Sequence, residues 1–209
     1  MKLYHFPFSP NTVKVMAVMH KLGLEPEQVV LDLTKGETHK PDYKVVNPNA
    51  LIPTLEDGDF VLWESNAIIL YLAEKHDSDL LPRDLRGRAE TNRWLSWQLA
   101  HFGRGIGLAT FERMAPNFIE GYQVDEWALK KGLEMIERYV PVLDAHLADR
   151  QFVLGDKPTL ADIALAASMC HWRLAKLPLD GYSNLMAWYD RMGQLDYFQK
   201  ALPQMPALA

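Results

Sequence analysis

The sequence predicts an α/β domain that is followed by an all-α domain, and three observations support this fold class. Residues 2–33 have the pattern of a strand, a helix and a second strand, which is a βαβ unit with a parallel strand pair. Residues 54–76 have the pattern of a β-hairpin that leads into a helix. After residue 86, every long segment has the spacing of apolar residues that is typical of helices.

The first domain is predicted to span residues 1–78 with the element order βαβ-ββα. Its first strand covers Lys2–Phe6, and its first helix covers Thr12–Leu22, where apolar side chains recur at i, i+4 and i+7. The second strand covers Gln28–Leu33. Because a helix connects these two strands, the unit is a βαβ crossover and the strands are predicted to be parallel.

The hairpin is predicted from two short apolar strands, Thr54–Glu56 and Phe60–Trp63. Asp57-Gly58 lies between them, and this dipeptide favours the tight turn of a hairpin. Ser65 precedes a long apolar run and is a preferred N-cap residue, so the sequence predicts that Ser65 caps a helix there.

The second domain is predicted to be an all-α helical bundle over residues 86–209, after a linker at 79–85 that lacks apolar periodicity. A helix is predicted from residue 88 to about residue 103. Three glycines follow at alternate positions from Gly103, so a kink or a close backbone contact is expected there. The last helix is predicted around Leu185–Met192.

Two further helices of this domain have local signals of their own. Between Trp127 and Leu147 the apolar residues step by three and four, and Pro141 within this run predicts a kink. Leu160–Trp172 is nearly all apolar and is predicted to be a buried helix. It begins with Thr159 and Asp162, which form a variant of the capping box.

Composition excludes several classes of function. The 209 residues are 48% apolar and 23% charged, which is ordinary for a soluble globular protein, and the net charge is −5. An acidic chain is a poor ligand for nucleic acid or for an anionic membrane, so neither partner is expected. No apolar run has the length of a transmembrane helix, and the N-terminus has no signal-peptide pattern.

Cysteine and histidine usage argues against a disulfide, a redox pair or a metal site. The single cysteine, Cys170, cannot form an intrachain disulfide, and a cytoplasmic location is therefore expected. The seven histidines include no pair at i, i+4, so no metal is expected. His171 follows Cys170 on an apolar helix, where packing is a better interpretation than a catalytic pair.

The segment at Glu64 and Ser65 has the features of a binding site for an α-amino acid head group. A helix N-terminus presents unpaired N–H groups and the positive end of the helix dipole, which attract a carboxylate. The carboxylate of Glu64 beside it is able to accept from an ammonium. The alternative is a hairpin that leads into a capped helix and binds nothing.

Ser9 and Asn11 lie between the first strand and the first helix. A hydroxyl and an amide at this position are able to donate to an anion at the helix N-terminus, and such donors lower the pKa of a bound thiol. The alternative is that both residues are simple caps, which is their more frequent use. His39 and Lys40 are either solvated surface charges or, beside a tripeptide anion, the ligands of a terminal carboxylate.

Taken together, these motifs give the chain a resemblance to the cytosolic glutathione transferases. The resemblance covers nearly the whole chain, and its most specific parts are Asn47–Leu55, Glu64-Ser65, Gly155-Asp156 and Thr159–Asp162. It implies a thioredoxin-like N-terminal domain and a helical C-terminal domain that contributes the electrophile pocket. The chain is similar to bacterial members with a serine-type active site and to the theta, phi and nu-like classes.

The resemblance implies a role for each candidate residue. Ser9 matches the serine that stabilises the glutathione thiolate, and Asn11 matches an asparagine that shares this role in a disulfide-reductase-like class. Pro53 matches the cis-proline of the family, and the preceding Ile52 pairs its backbone with the cysteinyl part of glutathione.

The two ends of glutathione are assigned in the same way. Glu64 and Ser65 match the pair that binds the γ-glutamyl group. His39 and Lys40 lie where the family often binds the glycyl carboxylate, although Thr38 departs from the residue types common at its position.

The sequence therefore predicts a glutathione transferase with glutathione as co-substrate. It would conjugate the thiolate to a small hydrophobic electrophile and serve in detoxification. The resemblance also implies a homodimer. Two alternatives stay open, which are a glutathione-dependent disulfide or peroxide reductase and a non-catalytic member of the fold that binds ligands or proteins.

Overall fold

The structure is a computed structural model and describes residues 1–203 of the chain. The described residues form two compact units. One unit is Met1–Ser78 together with the described residues from Leu195 onward, and the other is Asp79–Gln194. The last residues of the predicted helical domain, 204–209, lie outside the described residues.

The first unit contains a mixed sheet with helices. Its elements are β1 (Lys2–His5), α1 (Pro10–Lys21), β2 (Glu27–Val30), α2 (Pro41–Val46), β3 (Thr54–Asp57), β4 (Phe60–Trp63) and α3 (Ser65–Lys75). The strand order is β2-β1-β3-β4, in which β1 pairs in parallel with β2 and antiparallel with β3. The predicted order βαβ-ββα is confirmed, and α2 lies in the connection between β2 and the hairpin.

The side chains of β1 alternate between the two faces of the sheet, and those on one face are the more deeply buried. Leu3 and His5 are buried, whereas Lys2 and Tyr4 on the opposite face are only partly buried. Leu3 pairs with Leu55 of β3, and both side chains are fully buried. The sheet therefore contributes one apolar face to the core of this unit.

The second unit is helical throughout its long segments. Its helices are α4 (Leu85–Trp97), α5 (Gly103–Met114), α6 (Glu126–His146), α7 (Leu160–Ser168) and α8 (Ser183–Gly193). A π-helical turn at Gln98–Phe102 joins α4 to α5, so the irregularity expected at the glycines begins just before them. Trp94 and Phe102 are buried, whereas Phe111 is 52% exposed.

One further helix, α9 (Asp196–Ala201), was not predicted. It packs on α1, where Phe198 is fully buried and Lys21 lies over the ring of Tyr197 at 5.6 Å. Residues 195–203 therefore belong to the compact unit that contains the sheet, although the sequence prediction placed them in the helical domain.

Two glycines allow α5 and α6 to cross at close range. A Cβ added to Gly105 would lie 2.7 Å from Cβ of Met135, and one added to Gly132 would lie 2.6 Å from the backbone N of Ala109. Such distances are shorter than any tolerated contact between carbon atoms. The close backbone contact that the sequence predicted is therefore confirmed, with Gly105 as its centre on α5.

Replacing Gly105 with alanine is expected to lower the free energy of unfolding by about 1–3 kcal/mol, because the new methyl group overpacks the helix crossing. Gly107 on the same helix is the matched control, since a Cβ there meets nothing within 4 Å. Gly107→Ala is expected to stabilise the helix by roughly 0.5–1 kcal/mol. Urea unfolding of both variants would measure this contrast, and equal effects would contradict the proposed close crossing.

A buried carboxylate organises the start of α7. The Oδ2 atom of Asp162 accepts from the backbone N of Thr159 at 2.8 Å and from its Oγ1 at 2.9 Å. Its Oδ1 atom accepts from the backbone N of Val153 at 2.8 Å and from Nε1 of Trp188 at 2.9 Å. Burial raises the pKa of Asp162, and these donors act in the opposite direction. The predicted capping box is present and is part of a larger network.

Within residues 1–203, no helix is both long enough and apolar enough to cross a membrane.

Candidate functional site

Ser9 lies at the N-terminus of α1, but its hydroxyl does not cap this helix. Its backbone conformation is extended, and its carbonyl oxygen accepts from the backbone N of Thr12 at 2.9 Å and of Val13 at 3.0 Å. Ser9 is therefore the N-cap residue through its backbone, while its side chain makes no capping hydrogen bond. The simple-cap interpretation does not account for this hydroxyl, which stays available to a ligand.

Asn11 lies in the first turn of α1 and contacts the N-terminus of α3. Its Oδ1 atom accepts from Oγ of Ser65 at 3.2 Å and from Nζ of Lys14 at 3.4 Å. Asn11 is thus brought beside Ser65, although more than fifty residues separate the two in the sequence. The structure joins the predicted thiol site to the predicted head-group site.

Lys14 is a part of this site that sequence reasoning missed. It is 1% exposed, and its Nζ donates to Oγ of Ser65 at 3.0 Å and to Oδ1 of Asn66 at 2.7 Å. Burial lowers the pKa of Lys14 to about 7, while the charge of Glu64 acts in the opposite direction. A signal was present, because Ala17 and Val18, which lie three and four residues further on and share the helix face of Lys14, are apolar.

Glu64 and Ser65 correct the prediction of the helix start. Ser65 is the first residue of α3, and Glu64 is its N-cap with φ of 71° and ψ of 109°. The hydroxyl of Ser65 is therefore directed to Asn11 and Lys14 rather than to the backbone of its own helix. Positive φ is uncommon outside glycine and is often associated with functional sites. Here it accompanies an exposed Glu64 beside the unpaired N–H groups of the helix.

The loop before β3 carries Ile52 and Pro53. The peptide bond between these two residues is cis, which confirms the implication of the resemblance. The loop is held by Asn47, whose Nδ2 donates to the carbonyl of Leu51 at 2.9 Å and to Oγ1 of Thr54 at 3.0 Å. In the described part of the chain, the backbone N and O of Ile52 make no hydrogen bond, so they stay available to a ligand.

His39 and Lys40 are not tied to the other predicted site residues. Both are exposed at the end of a short 3-10 helix, Glu37–His39. Nζ of Lys40 forms an ion pair with Oε1 of Glu37 at 2.9 Å. Across residues 1–203, neither side chain hydrogen-bonds to a residue of the group around Ser65. An anion at this position would have to compete with Glu37 for Lys40.

Cys170 and His171 lie in the helical unit. Burial raises the pKa of the Cys170 thiol to about 12, so the thiolate is not populated near neutral pH. His171 is buried as well. These observations support packing, as the sequence suggested.

The arrangement in the first unit favours the binding of an anion next to an amino acid head group. Two helix N-termini, those of α1 and α3, are linked by Ser65, Asn11 and Lys14. Each terminus supplies unpaired N–H groups and a positive dipole end. Further donors and acceptors come from the hydroxyl of Ser9, the backbone of Ile52 and the carboxylate of Glu64.

Two family models match the chain. The glutathione S-transferase N-terminal domain matches residues 1–74, and the glutathione S-transferase C-terminal domain matches residues 105–196. The candidate residues from Ser9 to Ser65 all lie within the first match.

Relatives along the whole length support the same family. Glutathione S-transferase 3 from Zea mays is 35% identical, over 99% of this chain and 95% of its own length. A probable glutathione S-transferase from Oryza sativa subsp. japonica is 32% identical, over 90% of this chain and 89% of its own.

Solved structures share the fold. Glutathione transferase F7 from Populus trichocarpa is 27% identical, with a TM-score of 0.87 and coverage of 96% of both chains. A theta class glutathione S-transferase from Xanthomonas axonopodis pv. citri, with glutathione bound, is 26% identical. Its TM-score is 0.86, and the match covers 100% of this chain and 98% of that chain.

Proposed function

The chain belongs to the glutathione S-transferase family and is a glutathione transferase, and from this we propose that Ser9, helped by Asn11, activates the glutathione thiol. The observation that carries the proposal is the side chain of Ser9, which lies at the N-terminus of α1 and does not cap it. A hydroxyl in this position donates to the thiolate and lowers the pKa of the thiol.

The remaining candidate residues would bind the tripeptide. The carboxylate of Glu64 accepts from the γ-glutamyl ammonium, and Ser65 with the N-terminus of α3 binds the γ-glutamyl carboxylate. The unpaired backbone of Ile52, before the cis Pro53, pairs with the cysteinyl residue. His39 and Lys40 bind the glycyl carboxylate, for which Lys40 exchanges its partner Glu37.

No group of the protein forms a covalent bond to the substrate in the chemical step. The thiol loses its proton to solvent, and the thiolate sulfur forms a bond to the electrophilic carbon. The leaving group departs with the electron pair of the bond that breaks. We assign the electrophile to the apolar class, as the resemblance to the glutathione transferases implies.

Titration of the thiolate absorbance of glutathione in the presence of the protein tests this function. The thiol of the bound tripeptide is expected to ionise at least about one pH unit below that of free glutathione, because hydrogen bonds to the charged form favour it. Glutathione that binds without a change in its thiol pKa would contradict thiol activation. A protein that binds no glutathione at all would contradict the whole assignment.

A homodimer is part of the proposal. The edge strand β4 exposes Phe60, Val61 and Trp63, and apolar patches of this kind often mark interfaces. Val61→Glu is therefore expected to convert a dimer of the 23.9 kDa chain into a monomer in sedimentation velocity. Val45→Glu on α2 is the matched control, because Val45 is equally apolar and 86% exposed. If both variants stay dimeric, this surface is not the dimer interface.

A cytoplasmic location and a role in detoxification belong to the same proposal. A single cysteine, which cannot form an intrachain disulfide, fits a chain that works in a reducing compartment. The conjugation of apolar electrophiles is chemistry that makes reactive compounds polar and harmless.

A further inference from the structure

The ammonium group of Lys14 lies where a charged group is costly to bury. It is surrounded by three oxygen acceptors, which are Oδ1 of Asn66 at 2.7 Å, Oγ of Ser65 at 3.0 Å and Oδ1 of Asn11 at 3.4 Å. Burying an ammonium is tolerated only where such partners are present. An apolar residue would suit the packing between α1 and α3 better. Packing alone therefore does not explain why a lysine occupies this position.

Nζ of Lys14 is the donor in all three of these contacts, and this decides how Asn11 is oriented. An asparagine amide has an acceptor oxygen on one side and a donor NH2 group on the other. Because Nζ of Lys14 and Oγ of Ser65 both face the same atom of Asn11, that atom must be the oxygen. The NH2 group of Asn11 consequently points away from the cluster, with two hydrogens to donate.

The hydroxyl of Ser65 is ordered by the same contact. Its oxygen accepts from Lys14, so its single hydrogen is free to donate, and in the structure it donates to Asn11. A hydroxyl that accepts from a cation is polarised and becomes a better donor. Lys14 therefore controls the direction of hydrogen bonding in both Asn11 and Ser65 without facing solvent itself.

We propose that Lys14 is a positioning residue of the glutathione site, which orients the amide of Asn11 toward the thiolate and holds the side chain of Ser65 in place at the N-terminus of α3, beside the head group. The inference rests on the proposed function, since it assigns roles to groups that act on bound glutathione. Lys14 touches neither the thiol nor the electrophile in this scheme and acts through its two neighbours.

The thiolate titration of bound glutathione tests the inference on Lys14→Met, which keeps the length of the side chain and removes its donors. The thiol pKa is expected to rise by about one unit, and KM for glutathione by roughly tenfold, because the amide of Asn11 loses its fixed direction and the side chain of Ser65 its fixed position. The arginine side chain of Lys14→Arg also only donates hydrogen bonds. This variant is expected to keep the thiol pKa and KM close to the wild-type values. Lys14→Gln replaces the methionine variant if that variant does not fold.

Lys21 supplies the matched control. It lies on the same helix and is exposed, so Lys21→Met removes one charge without touching the cluster. The thiol pKa and KM of this variant are expected to equal those of the wild type. A rise in both variants alike would show that only net charge matters and would overturn the positioning role.

A double-mutant cycle with Asn11→Ala separates positioning from a general structural role. If Lys14 acts through Asn11, then Lys14→Met changes the thiol pKa much less in the Asn11→Ala background than in the wild type. An equal change in the two backgrounds would overturn the inference. If the wild-type protein fails to lower the thiol pKa, the proposed function fails; if it succeeds and the Lys14 variants retain the lowered pKa, only the inference on Lys14 fails.

Discussion

Ser9→Ala is expected to lower the glutathione-dependent rate by about a hundredfold, which is typical of the loss of one donor to a developing anion. The physical reason is the hydroxyl of Ser9, which makes no capping hydrogen bond at the N-terminus of α1 and donates to the thiolate instead. Without this donor the thiol pKa of bound glutathione rises. The rate at neutral pH therefore falls and recovers in part as the pH is raised above the new thiol pKa.

Rates of conjugation over a range of pH, with an aryl halide as electrophile, would measure this shift. Ser183→Ala is the matched control, because Ser183 is exposed at the first position of α8 in the other unit. An unchanged rate for Ser9→Ala would remove Ser9 from its role. A larger loss for Asn11→Ala than for Ser9→Ala would instead favour the disulfide or peroxide reductase alternative.

Asp162→Ala is expected to lower the free energy of unfolding by about 4 kcal/mol, because several buried donors lose their acceptor at once. The donors belong to Val153, Thr159 and Trp188, of which Trp188 lies 26 residues from Asp162 in the sequence. The loss of the contact with Nε1 should also alter the fluorescence of Trp188. Urea unfolding followed by this fluorescence would measure both effects.

Asp156→Ala is the control for this experiment, since Asp156 is exposed in the same segment before α7. It is expected to change the free energy of unfolding by at most about 0.5 kcal/mol. A similar, small loss for Asp162→Ala would mean that water replaces the carboxylate and that the network contributes little. Asp162→Asn, which keeps the volume and one acceptor oxygen, should fall between the two.

Local signals in the sequence predicted many of the elements correctly. Asp57-Gly58 predicted the hairpin turn, in which Gly58 has a positive φ of 68°, and Thr159 with Asp162 predicted the start of α7. These signals succeed because a tight turn or a helix cap is decided by residues that are neighbours in the chain. The cis bond before Pro53 was predicted from the resemblance to a family and not from local signals, because a cis-proline needs enforcement by the tertiary structure.

The same local reasoning failed where distant residues compete for one group. Ser65 has the side chain of an N-cap, yet its hydroxyl binds Lys14 and Asn11, and Glu64 takes the N-cap position instead. The helix α9 was missed for a similar reason, because its stability comes from packing on α1 at the other end of the sequence. A helix of six residues has little stability of its own.

The sequence by itself determined the order of the elements, the division into an α/β part and a helical part, and the family of the protein. These depend on periodicity, turns and motifs, which are properties of short segments. Only the tertiary structure decided that Lys14 is buried and that it links Asn11 to Ser65. A lysine is usually solvated, and its burial depends on which helix packs against it, which no segment around Lys14 encodes.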